Sequence, residues 1–268
     1  MLDDVQVSAY LTHIGAARPV LLDLATLSDL TERHVLTVPF ENLDYHIDGR
    51  EIFMDERIFE KIVHQGRGGA CYEVNPSFGM LLTALGFQVE ILSARVHRPG
   101  GLGAPLGHLM LRVTIDGSAY LVDVGFRRNP WRPLVLGTHV PQYDPQGVYS
   151  FGQEHRGEFD LFMDGEPMYR VDGRPRELAE FRPSLWWFRT SPDSPFMQDV
   201  FCSLPTVEGR VTLKGRTLTK RVNGGFSEEL LADDSEVFDA YYKYFGLVLE
   251  RLPDEPVRPE GSTGIAVA

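Results

Sequence analysis

The sequence predicts an α+β protein in which helices come first, β-strands follow, and a segment mixing both ends the chain. Two observations carry this prediction. Apolar residues recur at helical spacing through much of the first 86 residues, and from Phe87 onwards they alternate, as in a half-buried strand. Because a doubly wound parallel sheet would alternate helices with strands along the chain, this order favours separate helical and β-rich layers.

Three helical segments are predicted before residue 87. Leucines recur every three residues over Leu21–Leu30, and Pro39 forbids continuation of that helix. The second segment covers Asp55–Val63. The third begins near Cys71 and ends at Gly86, because glycine is the usual residue just beyond a helix C-terminus.

The β-rich region contains a predicted hairpin. The runs Leu109–Ile115 and Ala119–Val124 flank Asp116-Gly117, a dipeptide typical of two-residue hairpin turns. The segment Phe87–Ile91 alternates ahead of this hairpin. The remaining predictions are two strands, a last helix, and a tail that we expect to lie over the surface or fray: Pro167–Val171, Arg210–Leu218, Ser235–Leu249 and Pro253–Ala268.

Composition limits the class of protein. Of 268 residues, 43% are hydrophobic, which is enough for a sizeable core and excludes general disorder. The 26 basic and 38 acidic residues give a net charge of −12, which argues against nucleic-acid binding. We expect no membrane span, because no run approaches ~20 apolar residues. The acidic start, Met1–Asp4, is unlike a secretory signal, so we expect a cytoplasmic protein.

The candidate nucleophile is Cys71, which follows a turn with three glycines in the four positions Gly66–Gly69. The N–H groups at a helix N-terminus carry partial positive charge, which lowers the pKa of a thiol placed there. A buried structural cysteine is an equally good interpretation of Cys71 on these grounds alone. Cys202 has neither feature, and we expect it to be passive. The two cysteines lie far apart and form no Cys-x-x-Cys, so we expect no metal site.

A thiolate nucleophile needs a histidine, and the histidine needs an orienting carboxylate or amide. With Asp116-Gly117 at the hairpin turn, Ile115 pairs with Ser118. On that register, His108 and Asp123 are diagonal neighbours, two residues apart on one face of the hairpin. In a chain with eight histidines, some cysteine, histidine and aspartate occur in this order by chance. Spacing alone therefore does not decide whether Cys71, His108 and Asp123 act together.

Five motifs occur along the chain in one order: Val38–Leu43, Arg67–Asn75, Pro105–Leu109, Val122–Phe126 and Ser191–Phe196. Together they resemble the arylamine N-acetyltransferase family, over about residues 5–220. The resemblance implies a cysteine-protease-like catalytic triad of Cys71, His108 and Asp123. It also implies ping-pong acetyl transfer from acetyl-CoA to arylamines and arylhydrazines in xenobiotic metabolism, with no permanently bound cofactor.

The resemblance further implies a fold of three parts and a set of binding residues. A helical domain (residues 1–86) carries the nucleophile, a β-barrel domain (87–195) carries the histidine and aspartate, and an α/β lid with the tail (196–268) follows. Oligomeric state stays open. The residues implied to bind the aromatic substrate are Phe40, Tyr72 and Phe126. Those implied to bind CoA are Val96, Gly103 and Gly107.

One departure from the family pattern concerns the residues after Phe126. The family often has glycine there, whereas this chain has Arg127-Arg128. These two cations fit contact with CoA phosphates or with an acidic substituent on the acceptor. They fit a solvated turn equally well.

Three other functions remain open at this stage. Within the family, the chain fits an amide synthase that closes a macrolactam, or an acyltransferase that uses a donor such as malonyl-CoA. Outside it, the same three residues fit a cysteine peptidase or a transglutaminase-like enzyme. A binding module without activity is the third alternative, and an intact Cys71, His108 and Asp123 set argues against it.

Overall fold

The computed structural model describes residues 1–256, so the predicted tail beyond Pro256 lies outside the described residues. At the start of that tail, the Asp254 amide donates to the His46 carbonyl. No helix within the described range is long and apolar enough to cross a membrane. The α-helices are α1 (Asp4–His13), α2 (Leu24–Thr37), α3 (Arg57–Phe59), α4 (Cys71–Leu85), α5 (Arg182–Thr190), α6 (Pro195–Gln198) and α7 (Asp234–Phe245).

The strands fall after α4, except for one short strand near residue 40. They are β1 (Phe40–Glu41), β2 (Gln88–Arg98), β3 (Gly101–Leu102), β4 (His108–Ile115), β5 (Ser118–Val122), β6 (Leu134–Val135), β7 (Gln142–Asp144), β8 (Gly147–Phe151), β9 (Glu158–Met163), β10 (Glu166–Arg176), β11 (Phe201–Thr206), β12 (Gly209–Lys214), β13 (Thr217–Val222) and β14 (Gly225–Leu230).

The predicted helices form, with local differences at their ends. The Asp23 side chain accepts the Thr26 N–H and caps α2, so the helix begins after the first leucine of the predicted stretch. The second segment is α3 followed by a wider π-helical turn, Glu60–His64. At the end of α4, Gly86 is left-handed with φ +108°, as predicted.

Two predicted elements were wrong in extent. The strand proposed over Arg210–Leu218 is two strands, β12 and β13, because the chain turns at Gly215, where φ is +54°. The last helix stops at Phe245 rather than Leu249, since Gly246 is left-handed with φ +68°.

The larger sheet curls into a nearly closed barrel. Its order is β6-β5-β4-β2-β10-β9-β8-β7, with β3 paired to β2. The two outer strands meet through one side chain: Gln142 of β7 accepts the Val135 N–H of β6 at 2.7 Å and donates to its carbonyl at 3.0 Å. The Gln142 side chain thus takes the place of backbone hydrogen bonds between β6 and β7, and it protects the outer edges of these two strands. Buried apolar residues, among them Leu92, Met110 and Tyr169, fill the interior.

The predicted hairpin has the predicted register. Ile115 pairs with Ser118 and Leu111 with Val122 across the Asp116-Gly117 turn. On the side of the sheet away from the barrel interior, α4 packs Phe78 and its neighbours against β4. This packing places the N-terminus of α4, which carries Cys71, beside the hairpin.

The smaller sheet has the order β1-β11-β12-β13-β14, and α7 covers it through Val237, Tyr241 and Phe245. Its first strand, β1, comes from the helical segment and pairs Phe40 with Ser203. The helical and C-terminal segments therefore share a sheet, and the domain division at residues 86 and 195 stays a prediction.

Candidate active site

The glycine-rich turn before α4 is shaped by close backbone packing. Gly66 has φ +61°, a conformation that favours glycine. Gly68 has an ordinary backbone conformation, but a Cβ there would overlap the Pro39 carbonyl oxygen. The turn thus lies against the chain that enters β1, and it delivers Cys71 as the first residue of α4.

Five buried charged side chains hold this turn in place. Lys61 Nζ lies 2.6 Å from Glu73 Oε1 and 2.8 Å from Asp44 Oδ2, and Arg67 lies 2.8 Å from Glu41 and 3.1 Å from Asp44. Burial lowers the pKa of Lys61, but the carboxylates around it raise that pKa above its ordinary value. Each side chain of the cluster therefore forms an ion pair with at least one member of opposite charge.

Glu73 connects this cluster to the start of α4. Its Oε2 atom accepts the Ala70 N–H at 3.1 Å, so it satisfies one backbone donor that the helix itself leaves unpaired. Its other oxygen is bound to Lys61. The position of Cys71 therefore depends on a buried ion pair formed by a residue two positions along the helix.

Replacing Lys61 with methionine will lower the free energy of unfolding by about 3–5 kcal/mol, since buried carboxylates lose their shared cation. Urea denaturation measures the change. Arg18→Met is the matched control, because it breaks an exposed pair with Asp4 and is expected to have little effect. Equal losses in the two variants would contradict the assigned role of Lys61.

The hairpin brings His108 and Asp123 into direct contact. His108 Nε2 lies 2.7 Å from Asp123 Oδ2, and both side chains are buried. Cys71 lies near enough to His108 to hydrogen-bond its ring. Because Nε2 is bound to the carboxylate, Nδ1 is the nitrogen left for the thiol. His108 thus contacts Asp123 and lies beside Cys71, and the joint action of the three residues as a catalytic triad stays a prediction.

Asp123 is held by more partners than the sequence indicated. Besides His108, its oxygens accept from Asn75 Nδ2 at 3.0 Å, from the Tyr169 hydroxyl at 3.0 Å and from the Gly125 amide at 3.0 Å. Asn75 lies one helical turn after Cys71 on α4 and ends the motif Arg67–Asn75. Its spacing from Cys71 could therefore have identified it as a neighbour of the site. Tyr169 comes from β10 and had no local signal.

The charges of this group stabilise one another. Burial acts against a charged imidazole, but Asp123 and the nearby Cys71 more than offset it and raise the pKa of His108 to about 10. Burial likewise acts against the Asp123 carboxylate, whereas His108 and the donated hydrogen bonds lower its pKa below the usual range. The ring and the carboxylate are therefore an ion pair at neutral pH.

The two cysteines should differ strongly in reactivity. Cys202 is fully buried, and burial together with the Glu41 carboxylate raises its pKa well above the ordinary value. We expect iodoacetamide at pH 7 to alkylate Cys71 at least about a hundredfold faster, since a thiolate beside an imidazolium is the reactive form. Peptide mapping over time gives both rates, and Cys71→Ser isolates the Cys202 rate. Comparable rates would contradict an activated thiol.

A cavity opens directly at Cys71 and His108. Aromatic rings form much of its wall: Phe40, Phe126, Phe188 and Phe196. Phe126 lies against the imidazole, with ring centroids 5.0 Å apart. The structure thus brings two of the three predicted aromatic-substrate residues, Phe40 and Phe126, to the cavity that holds the thiol. Phe188 and Phe196 lie beyond the predicted barrel strands and were missed.

Tyr72 lies elsewhere. It is not among the residues that line this cavity; it is fully buried against Phe181 and Phe188. Its hydroxyl donates to the Leu106 carbonyl at 2.6 Å, at a residue with φ +52°. This geometry makes Tyr72 an anchor for the loop before His108, and its role in binding the aromatic substrate stays a prediction.

The residues predicted for CoA meet in a neighbouring cavity. Val96, Gly103 and Gly107 all line it, and Val96 and Gly107 also line the cavity at Cys71. Packing within the protein requires a small residue at Gly107, where a Cβ would lie 2.7 Å from the Ala104 carbonyl oxygen, and favours one at Gly103, where a Cβ would lie 3.2 Å from the Val96 carbonyl oxygen. Their role as surfaces for close ligand approach stays a prediction.

No cluster of three or more histidine, cysteine, aspartate or glutamate side chains suited to a metal ion occurs within residues 1–256.

Comparison with known proteins gives consistent matches. A family model described as N-acetyltransferase matches residues 23–253. Human arylamine N-acetyltransferase 1 is 34% identical over 242 residues, covering 81% of this chain and 83% of the human protein. The Salmonella typhimurium enzyme structure aligns with a TM-score of 0.86 at 26% identity over 92% of both chains. A Mycobacterium marinum arylamine N-acetyltransferase in complex with CoA aligns with a TM-score of 0.81 at 30% identity, covering 90% of this chain and 92% of that one.

Proposed function

The chain belongs to the arylamine N-acetyltransferase family, and from this premise we propose that it acetylates arylamines and arylhydrazines from acetyl-CoA through an acetyl-Cys71 intermediate. The family matches confirm the resemblance that the motifs indicated and the α+β fold class. The observation that carries the proposal is that Cys71 and His108 line an aromatic cavity side by side, with Asp123 bound to His108 behind them.

In the first half-reaction, the Cys71 thiolate attacks the carbonyl carbon of acetyl-CoA. A bond forms between Sγ and the acyl carbon, the bond from that carbon to the CoA sulfur breaks, and the departing thiolate takes the His108 proton. One thioester replaces another, so the step needs no ATP. The raised pKa of His108 supports this role, because a protonated ring must be available when CoA leaves.

In the second half-reaction, the amine attacks the acetyl group on Cys71. Its nitrogen gives a proton to His108, the new C–N bond forms, and the Cys71 thiolate leaves. Asp123 fixes the imidazole and stabilises its charged form. Backbone N–H groups that precede the first hydrogen bond of α4, which Glu73 donates to the Ala70 carbonyl, are candidates to stabilise the oxyanion.

The shape of the site supports the two substrates. The Mycobacterium marinum relative was solved in complex with CoA, and we infer that CoA enters this chain along the cavity lined by Val96, Gly103 and Gly107. The aromatic rings at Phe40 and Phe126 suit a flat aromatic acceptor, which gains from edge-to-face and offset contacts. Acetyl-CoA is then a co-substrate that binds and leaves in each cycle.

Steady-state kinetics tests this function. Initial rates with varied acetyl-CoA and 4-methylaniline should give parallel double-reciprocal lines, the pattern of a ping-pong reaction. Cys71→Ser should show no transfer. Intersecting lines would contradict the covalent intermediate. Turnover only with malonyl-CoA would move the function to the alternative donor, and continued release of CoA beyond one equivalent per enzyme without any amine would favour a hydrolase.

A further inference from the structure

A second cavity, of about 570 Å³, opens at the end of the barrel that lies away from Cys71. Arg112, in its wall, follows His108 by four residues on β4, which at ~3.3 Å per residue places it about 13 Å further along the strand. Among the described residues, none lines both this cavity and either of the two near Cys71. We call it the barrel mouth, and its wall includes Arg112, Ala119, Leu136, Phe151, Phe159 and Gly173.

The apolar wall of the barrel mouth continues the barrel core. Side chains alternate between the two faces of a strand, so a residue two positions from a core residue shares its face. Phe159 is two residues from Leu161, and Phe151 belongs to the core itself. The rings of Phe151 and Phe159 meet edge to face, with centroids 5.5 Å apart. With Leu136, they form an aromatic and aliphatic surface that faces an unfilled space.

The space is unfilled because small residues and a bulge occur at this rim. Ala119 is two residues from Leu121 of the core, and Gly173 is two residues from Val171, so both face inward. Between Asp172 and Arg176, β10 leaves its regular pairing with β2. Bulges of this kind bend a strand at the rim of a barrel. Cavities of ~300–1,000 Å³ in the mouths of β-barrels are typical sites for small ligands.

One charged pair points into this apolar space. Arg112 is two residues from Met110 of the core, and Glu90 lies directly opposite Arg112 on β2. Arg112 Nε donates to Glu90 Oε2 at 2.7 Å, and Nη1 donates to the Gly173 carbonyl at 3.1 Å. Nη2 has no hydrogen-bond partner among residues 1–256, so one side of the guanidinium remains available as a donor.

The ion pairs at the barrel mouth favour a neutral ligand. Glu90 balances Arg112, and Asp172 pairs with Arg174, the other cation in the wall. Glu154 adds one negative charge at the exposed rim. An anion would therefore gain little net attraction here, whereas a neutral carbonyl oxygen can accept from Arg112 without meeting that repulsion.

We propose that the barrel mouth binds a flat, neutral, mainly apolar small molecule that carries one hydrogen-bond acceptor. Its rings pack against Phe151 and Phe159, and its acceptor atom takes a hydrogen bond from Arg112 Nη2. The site is separate from Cys71 and takes no part in acetyl transfer, so this inference does not depend on the proposed function.

The test uses prodan, a neutral naphthalene ketone. Its emission shifts to the blue in apolar surroundings and to the red when its carbonyl accepts a hydrogen bond. Fluorescence titration gives the Kd and the emission maximum for the wild type and three variants. Ala119→Phe fills the barrel mouth, and Arg112→Met removes the donor. Phe126→Leu is the control, because it alters the cavity at Cys71 instead.

We expect the wild type to bind prodan with blue-shifted emission, and Ala119→Phe to bind it at least about tenfold more weakly. Arg112→Met should raise the Kd about three- to tenfold and shift the emission of the bound probe further to the blue, since one hydrogen bond to a charged group is lost. Phe126→Leu should change neither quantity. A purely structural role of Arg112 would not move the emission maximum.

Four results would overturn the proposal. The first is no binding of prodan by the wild type. The second is an unchanged Kd in Ala119→Phe, or, if that variant does not fold, an unchanged emission maximum in Arg112→Met. The third is loss of binding in Phe126→Leu alone, which would place the probe at Cys71. The fourth is tighter binding of the anion anilinonaphthalene sulfonate than of prodan, which would contradict a site for neutral molecules.

Discussion

Replacing Asp123 with asparagine will slow acetylation of Cys71 by about three to four orders of magnitude while the protein stays folded. The carboxylate accepts hydrogen bonds from His108, Asn75, Tyr169 and Gly125. Asparagine keeps one acceptor oxygen, which suits Asn75 and Gly125, and turns its NH2 group toward His108. His108 Nε2 must then accept, which moves the ring proton to Nδ1, where it cannot take a proton from Cys71.

Tyr169→Phe is the matched control for this prediction. It removes one of the four hydrogen bonds to Asp123 and leaves the carboxylate and its charge in place. We expect this variant to lose no more than about tenfold, in line with one hydrogen bond to a charged group. Single-turnover mass spectrometry with acetyl-CoA measures both variants. Near-wild-type acetylation in Asp123→Asn would mean that another group orients His108.

Replacing Gly125 with alanine will impair both folding and activity. The added Cβ would lie 2.5 Å from Asn75 Nδ2 and 2.7 Å from the Cys71 Cα, so the hairpin and the start of α4 must move apart. Forcing a methyl group into a packed site destabilises by about 1–3 kcal/mol. Displacing a nucleophile by about 1 Å lowers the rate about a hundredfold, and we expect at least that loss.

Gly100→Ala is the control for that prediction, because a Cβ at Gly100 meets no atom within 4 Å. Urea denaturation and the single-turnover rate are measured for both variants. Activity of Gly125→Ala within about threefold of that of Gly100→Ala would contradict the close approach of the hairpin to Cys71.

The parts of the site that were predictable depend on short-range patterns. The turn signal at Asp116-Gly117 determines the hairpin register, and that register alone places His108 near Asp123. The glycines before Cys71 and Gly86 after it delimit α4. In each case the deciding interaction lies within about 15 residues along the chain, where a sequence pattern carries the information.

The parts that were missed depend on neighbours distant in sequence. Tyr169 reaches Asp123 because β10 pairs with β2 beside the hairpin, a pairing that no local pattern specifies. Asn42 is buried, and its side-chain amide donates to the carbonyls of Phe196 and Asp199, more than 150 residues away. Tyr72 packs against Phe181 and Phe188, more than 100 residues away, so the place of its ring could not be predicted locally, and its role in binding the substrate stays a prediction.

The charge cluster beneath α4 shows the same limit. Each of its members, such as Lys61 and Glu73, is an ordinary charged residue in the sequence, and only the fold makes them a buried network. Arg127 is the converse case. It stands out in the sequence as a departure from the family pattern, and in the structure it lines the cavity at Cys71.

The most direct test of the central claim is the mass of the protein after mixing with acetyl-CoA in the absence of any acceptor, followed by peptide mapping. We predict a gain of one acetyl group, located on Cys71 and discharged when an arylamine is added, with no gain in Cys71→Ser. If the wild type acetylates an arylamine but never carries an acetyl group on Cys71, the covalent mechanism and the assigned role of the Cys71–His108–Asp123 arrangement are wrong.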